Sequence, residues 1–322
     1  MWPEALGTLG LATGGGIGLW ALGLAAAATG QRRLIFKPPR RLRTLPPGPH
    51  DGSFAIERLS LPVAGGAVLE GWRSRPLQGS AVGTLLYFGG RGEHVAWAPQ
   101  MSSYNAGWSV LALNHRGFGG STGTASEATV MADARRIFDA FLAPQDGPVV
   151  LMGRSLGSAV ALRLASQVRA QALVLLSPFP SLPRLARMHP LLAPAAPLLR
   201  HAMDSTPHAP GVGCRTLVLM ARGDRRVPPR ASREIARLIA GTVTLCQLDG
   251  QHHRSLPRCV PAQAVLADYL DSLLRATAAP PVIRATSATA SIAGALAPSR
   301  SPTSSRRPTG APRCEPSPSS CT

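Results

Sequence analysis

Three continuous apolar runs constrain the fold of this chain more than any other feature: Val149-Val150-Leu151-Met152, Leu173-Val174-Leu175-Leu176 and Leu217-Val218-Leu219-Met220. A strand that is apolar on both faces must be covered on both, which is the condition of a parallel sheet flanked by helices. Five further segments read as strands: Ala55–Val63, Ala67–Arg73, Thr84–Phe88, Val110–Asn114 and Val243–Leu248. With the runs at Val149–Met152, Ala172–Leu176 and Thr216–Met220 they make eight. Between them, Val130–Leu142, Leu156–Val168, Arg230–Ile239 and Pro261–Leu274 carry helical periodicity; Ile137, Phe138, Phe141 and Leu142 recur at three-to-four spacing on one face. Alternating β and α over some 220 residues predicts an α/β domain at 54–276 with a doubly wound, mostly parallel eight-stranded sheet. A Pro-rich insert, Pro178–Val212, is expected to lay short helices over the sheet edge.

The ends of the chain differ from its middle. Ala5–Ala28 is an uncharged stretch of 24 residues containing seven glycines, long enough to cross a hydrocarbon core of ~30 Å as a transmembrane helix. Gly10, Gly14 and Gly18 would share one helix face. Ala26-Ala27-Ala28 resembles a signal-peptide cleavage site, yet the start Met1-Trp2-Pro3-Glu4 is acidic where a signal peptide is basic. The segment, 1–30, therefore reads as a retained anchor. Arg32, Arg33, Lys37, Arg40, Arg41 and Arg43 follow it in a basic linker, 31–53, which would place the catalytic domain on the cytoplasmic side of a bacterial inner membrane in a single-pass arrangement. The tail 277–322, rich in Ala, Pro, Ser, Thr and Arg, cannot bury enough apolar area to offset its chain entropy, and disorder is expected.

The formal charge of +18 comes from 33 Arg and the single Lys37. With no Lys-rich run and aromatics at 5% of the chain, this balance does not point to nucleic acid; an anionic lipid surface suits it better. Five widely spaced cysteines without a Cys-x-x-Cys pair argue against a disulfide framework or a zinc site. No metal or cofactor is expected. Gly-x-Ser-x-Gly, the turn that exposes an acyl-transfer nucleophile, occurs twice, around Ser121 and Ser155. Ser121 lies in a loop: the strand before it stops near Asn114, and no helix starts until about Thr129. Ser155 follows an apolar strand and opens a helix, the setting such an elbow requires.

In this arrangement the acid and then the base follow the serine in chain order. Asp224 comes just past the strand Thr216–Met220, in Ala221-Arg222-Gly223-Asp224, at the carboxyl edge where ligands bind in open α/β sheets. His252 and His253 follow the last strand, and either could supply the imidazole; His252 is taken first, with His253 as the alternative base. The oxyanion needs backbone N–H donors. Leu156 supplies one, and Gly90 or Arg91, in Phe88-Gly89-Gly90-Arg91-Gly92-Glu93, the other.

Taken in order, Leu34-Ile35-Phe36-Lys37-Pro38-Pro39, Tyr87-Phe88-Gly89-Gly90-Arg91-Gly92-Glu93, Asn114-His115-Arg116-Gly117-Phe118-Gly119-Gly120-Ser121, Ser126-Glu127, Gly153-Arg154-Ser155-Leu156-Gly157-Ser158, Ser177-Pro178-Phe179, Gly223-Asp224-Arg225-Arg226-Val227-Pro228 and Asp249-Gly250-Gln251-His252 resemble the membrane-anchored serine α/β-hydrolases of the α/β-hydrolase-domain type. The likeness spans roughly residues 33 to 274. It implies the α/β-hydrolase fold, a Ser155–Asp224–His252 triad, an oxyanion hole from Leu156 and the Gly90-Arg91 turn, an N-terminal anchor, and esterase, lipase or thioesterase activity. Gly89 and Arg91 stand where that family usually has His and Asn, Ala221-Arg222 where it more often has His-Gly, and His115 where it has Tyr. The expected function is a membrane-tethered serine hydrolase acting on a small-molecule or lipid acyl ester or thioester. A peptidase of the same fold and a non-catalytic scaffold are the alternatives.

Overall fold

The computed structural model describes Gly23 and residues 29–39, 53–105, 107–142, 147–278 and 313–316. The eight expected strands form: β1 (Phe54–Val63), β2 (Ala67–Pro76), β3 (Gly83–Phe88), β4 (Trp108–Leu113), β5 (Val149–Arg154), β6 (Ala172–Leu176), β7 (Arg215–Ala221) and β8 (Val243–Leu248). A ninth, β9 (Arg313–Pro316), comes from the tail, where sequence composition predicts no structure. It adds antiparallel to β8 and closes that edge of the sheet.

Strand order is β1-β2-β4-β3-β5-β6-β7-β8-β9. β1 and β2 form an antiparallel hairpin, and β2 meets β4 antiparallel. From β4 through β8 every pairing is parallel. The central apolar runs are buried on both faces, Val150, Leu173, Val174 and Val218 without measurable exposure. Helices α1 (Glu127–Phe141), α2 (Leu156–Ala165) and α4 (Pro229–Ala236) contribute to the core on one face, and α5 (Val260–Ala278) to the core on the other. The insert holds α3 (Leu182–Arg187) and short 3-10 turns at Ala193–Leu198 and Ala209–Gly211.

Helix α1 starts three residues before its apolar periodicity does. The Ser126 hydroxyl accepts from the Thr129 N–H at 3.2 Å, and Thr129 Oγ1 accepts from the Ser126 N–H at 2.8 Å, a reciprocal cap with Thr in the place usually held by Glu or Gln. Residues 29–35 are helical and docked on the domain rather than forming a free linker. The anchor expected over 1–30 falls almost entirely outside the described residues. Among those that are described, no helix is long and apolar enough to cross a membrane.

The loop after β4 is tied to α1 by Arg116, whose Nε and Nη2 both reach Asp133 at 2.7 Å in a buried bidentate pair. Removing one partner of such a pair leaves an uncompensated buried charge. Asp133→Ala is expected to lower the free energy of unfolding by about 3–5 kcal/mol, read as a shifted denaturant midpoint at unchanged slope.

Candidate active site

Parallel strands in register bring their carboxyl ends to one edge, and the expected chemistry lies along it. Phe88 of β3 is level with Gly153 of β5, Arg154 with Leu176 of β6, and Ala221 of β7 with Leu248 of β8. The oxyanion loop, the Ser155 elbow, Ser177, Asp224 and the histidine loop therefore leave the sheet at neighbouring points.

Ser155 has φ 51° and ψ −118°, a backbone conformation L-residues rarely adopt. Two close approaches enforce it. A Cβ on Gly153 would strike the Gly157 carbonyl, and one on Gly157 would strike the Phe88 carbonyl. Both glycines of the motif are steric requirements, and the strained serine is fixed between them. Ser121 has the opposite character: it is buried, its hydroxyl accepting from the Glu70 N–H at 2.9 Å and donating to the Asn114 carbonyl at 3.1 Å. It is a structural serine.

The two candidate histidines are placed differently. His253 is buried with Nδ1 2.7 Å from Asp224 Oδ2, whereas His252 is exposed with Nδ1 3.2 Å from the Gly223 carbonyl. A Cβ on Gly223 would come within 2.5 Å of that His252 nitrogen, so this close packing requires glycine there. The His253 carbonyl is in turn held by Arg154 Nη2 at 2.9 Å, one residue from Ser155.

Asp224 is a fully engaged carboxylate. Oδ1 accepts from the Arg226 and Val227 N–H groups at 2.9 and 2.8 Å, and Oδ2 from Ser177 Oγ at 2.8 Å as well as from His253. Burial pushes its pKa up, but the His253 hydrogen bond and charge, the Val227 N–H and the Ser177 hydroxyl together outweigh burial and hold it below the usual carboxylate range. An ionised carboxylate only accepts, so the proton between the two groups sits on His253 Nδ1. Ser177 is a site residue to which sequence reasoning assigned no role. Its left-handed backbone, φ 47°, directly after β6 aligns it with the other strand-end residues.

Of the oxyanion donors, the Gly90 N–H is already committed to Glu93 Oε2 at 2.7 Å. The Gly90 N–H thus has a partner, and Leu156 and Arg91 carry the other two N–H groups expected from sequence. Gly90 instead sets the approach: a Cβ there would lie 3.4 Å from the Ser155 Cβ and 3.1 Å from the Arg154 carbonyl.

Glu93 and Arg154, neither singled out from sequence, are the connectors. Glu93 Oε2 accepts from Arg154 Nη1 at 2.8 Å, and Oε1 accepts from Tyr87 Oη at 2.8 Å and Trp97 Nε1 at 3.0 Å. Burial drives the Glu93 pKa up; the Arg154 charge, the Gly90 N–H and the Arg154 and Tyr87 hydrogen bonds outweigh it, and the carboxyl stays ionised below its usual range. His115, standing where Tyr is usual, is buried and donates from Nε2 to the Gly89 carbonyl at 3.1 Å. His94 caps the next helical turn, accepting from the Ala96 N–H at 3.3 Å. No metal-binding cluster of three or more ligands occurs among the described residues.

Because Glu93 and Asp224 both have depressed folded-state pKa values, the unfolded chain binds more protons as pH falls, and stability is lost in acid. Stability is expected to decline below about pH 4. In Glu93→Gln the decline from pH 5 to 3 should be shallower than in wild type, from a lower starting stability, as measured by urea midpoints.

Residues 79–207 match the family profile described as serine aminopeptidase, S33. The uncharacterized protein Rv2307c of Mycobacterium tuberculosis is 30% identical over 258 residues, covering 77% of this chain and 88% of its own length. The lysophosphatidylserine lipase ABHD12 of Gallus gallus is 34% identical over 123 residues, 35% of this chain and 32% of its own. Among solved structures, the Pyrococcus furiosus esterase Pf2001 superposes with a TM-score of 0.57 at 17% identity, over 74% of this chain and 97% of that one. Elbow, strand order and relatives agree: the chain belongs to the α/β-hydrolase family.

Proposed function

We propose that this protein is a serine hydrolase that cleaves ester or thioester bonds through an acyl-enzyme on Ser155, with His253 as the proton carrier and Asp224 behind it. The observation that carries this reading is the 2.7 Å contact between Asp224 and His253, because an ionised partner on Nδ1 leaves Nε2 free to accept a proton. Ser155 Oγ attacks the acyl carbon and its proton passes to His253 Nε2. The tetrahedral oxyanion is met by the N–H groups of Leu156 and Arg91. His253 then gives the proton to the departing alcohol or thiol. Water repeats the sequence on the acyl-enzyme and releases the acid.

The serine aminopeptidase description of the matching profile raises the peptidase reading. An aminopeptidase must hold an α-ammonium group beside its nucleophile. Here Arg91, Arg225 and Arg226 are exposed next to the site, while the carboxylates of Glu93 and Asp224 are consumed internally. That charge arrangement disfavours a cationic substrate end and favours a neutral or anionic ester, in keeping with relatives named as an esterase and a lipase. We extend the reading to a tethered enzyme: the uncharged segment Ala5–Ala28 would keep the domain at a membrane, with the basic residues after it on the cytoplasmic side.

Ser155→Ala and His253→Ala are expected to lower kcat on p-nitrophenyl esters by on the order of 10⁴-fold or more, and Ser155→Ala to abolish labelling by a fluorophosphonate. His252→Ala should keep near-wild-type turnover. Loss of activity in His252→Ala with retention in His253→Ala would reverse the assignment, and faster cleavage of aminoacyl p-nitroanilides than of esters would favour the peptidase.

A further inference from the structure

The docked N-terminal segment and the insert share one face of the domain. Gln31 joins them: its Oε1 accepts from the Arg200 N–H at 2.6 Å and the His201 N–H at 3.4 Å, and its Nε2 donates to the Leu198 carbonyl at 3.1 Å. Phe36 packs edge-on against His201, ring centroids 5.6 Å apart. On the other side, Arg91 Nε donates to the Leu34 carbonyl at 2.6 Å. The segment therefore bridges the insert and the loop that carries a proposed oxyanion donor.

The segment and the insert both expose leucines. Leu34, Leu191, Leu192 and Leu198 are 48%, 77%, 51% and 46% exposed, four of the eight exposed large hydrophobics among the described residues. Around them stand Arg32, Arg33, Lys37, Arg187 and Arg200, all exposed. Neither 29–39 nor 182–203 contains a single acidic residue. Arg184 pairs with Glu234 at 2.8 Å. Leucines set among the other basic residues suit the boundary between lipid headgroups and acyl chains, where leucine enters the apolar layer and arginine reaches the phosphates. The chain before the docked segment adds an independent argument: the uncharged stretch Ala5–Ala28 ends one residue before the first of these residues, Thr29.

We propose that this face is a seating surface for an anionic lipid bilayer, with the tip of the insert, Leu191 and Leu192, as its deepest point. Through Leu34 and Arg91 the seated surface is continuous with the catalytic edge, so an acyl ester lying in the leaflet reaches Ser155 without crossing bulk water. That last consequence rests on the hydrolase reading; the seating itself does not.

The test uses the full chain in nanodiscs, either all phosphatidylcholine or with phosphatidylglycerol added, read by hydrogen–deuterium exchange and by turnover of a water-soluble short-chain ester. Amides in 187–201 should exchange several-fold more slowly in the anionic discs. The double variant Leu191→Ser/Leu192→Ser should lose that protection and keep wild-type turnover of the soluble ester. Equal exchange in the two disc compositions, protection that survives in the double variant, or protection that scales with protein-to-disc ratio and so marks a second copy, would each overturn the proposal. Failure of the hydrolase reading shows separately, as soluble-ester turnover that persists in Ser155→Ala, and leaves the exchange result intact.

Discussion

The buried pair between Glu93 and Arg154 is the contact on which the catalytic edge depends. Three loops leave the sheet here with no regular structure of their own. Glu93 fixes the first by taking the Gly90 N–H; Arg154, the last residue of β5, precedes the second, and its other terminal nitrogen holds the His253 carbonyl of the third. A buried ion pair is weak evidence of stability, since desolvation offsets much of its attraction. Its value here is geometric. A guanidinium donates along fixed directions, so binding Glu93 and His253 together sets the spacing between the oxyanion loop and the base.

The elbow is the complementary element, where strain is tolerated to present a side chain. Ser155 and Ser177 both adopt left-handed backbone conformations immediately after strands, and each is locked by a main-chain bond to the neighbouring strand: Ser155 N–H to Leu176 and Ser177 N–H to Leu219. The sheet thus overdetermines two costly conformations, and it does so at the two serines nearest the proposed relay. The core beneath, buried on both faces of the central strands, gives this edge the rigidity that strain requires.

The sheet was legible because its signal is long and redundant. Runs such as Leu173-Val174-Leu175-Leu176 have no amphipathic alternative, and the structure places β6 within one residue of them. The elbow was legible because two glycines and a strand–helix switch must coincide. What was not legible lies in irregular backbone. His252 and His253 sit on one turn, where no periodicity says which faces inward; the choice is made by Asp224 and Arg154, 29 and 99 residues away in sequence. The commitment of the Gly90 N–H is local, to a side chain three residues on, but no periodicity in that loop announces it. The start of α1 was hidden by chemistry rather than distance, because Thr129 does the work expected of a Glu. The strand at Arg313–Pro316 draws its stability from an open sheet edge, a partner that tail composition cannot reveal.

A chain with 33 arginines and few acids faces a particular difficulty in building a carboxylate–imidazole relay. A guanidinium bonded to Asp224 would neutralise the field that steadies a protonated His253 and would compete with the imidazole for the carboxylate. The four groups that donate to Asp224 are a hydroxyl, two backbone N–H groups and the imidazole itself, none of them a permanent cation. Arg154, the arginine beside Ser155, is occupied by Glu93 instead. Two buried carboxylates divide the partners between them, Glu93 absorbing the guanidinium and Asp224 being reserved for the histidine. This division lets a strongly basic chain keep an Asp224–His253 contact free of guanidinium, as the proposed relay requires.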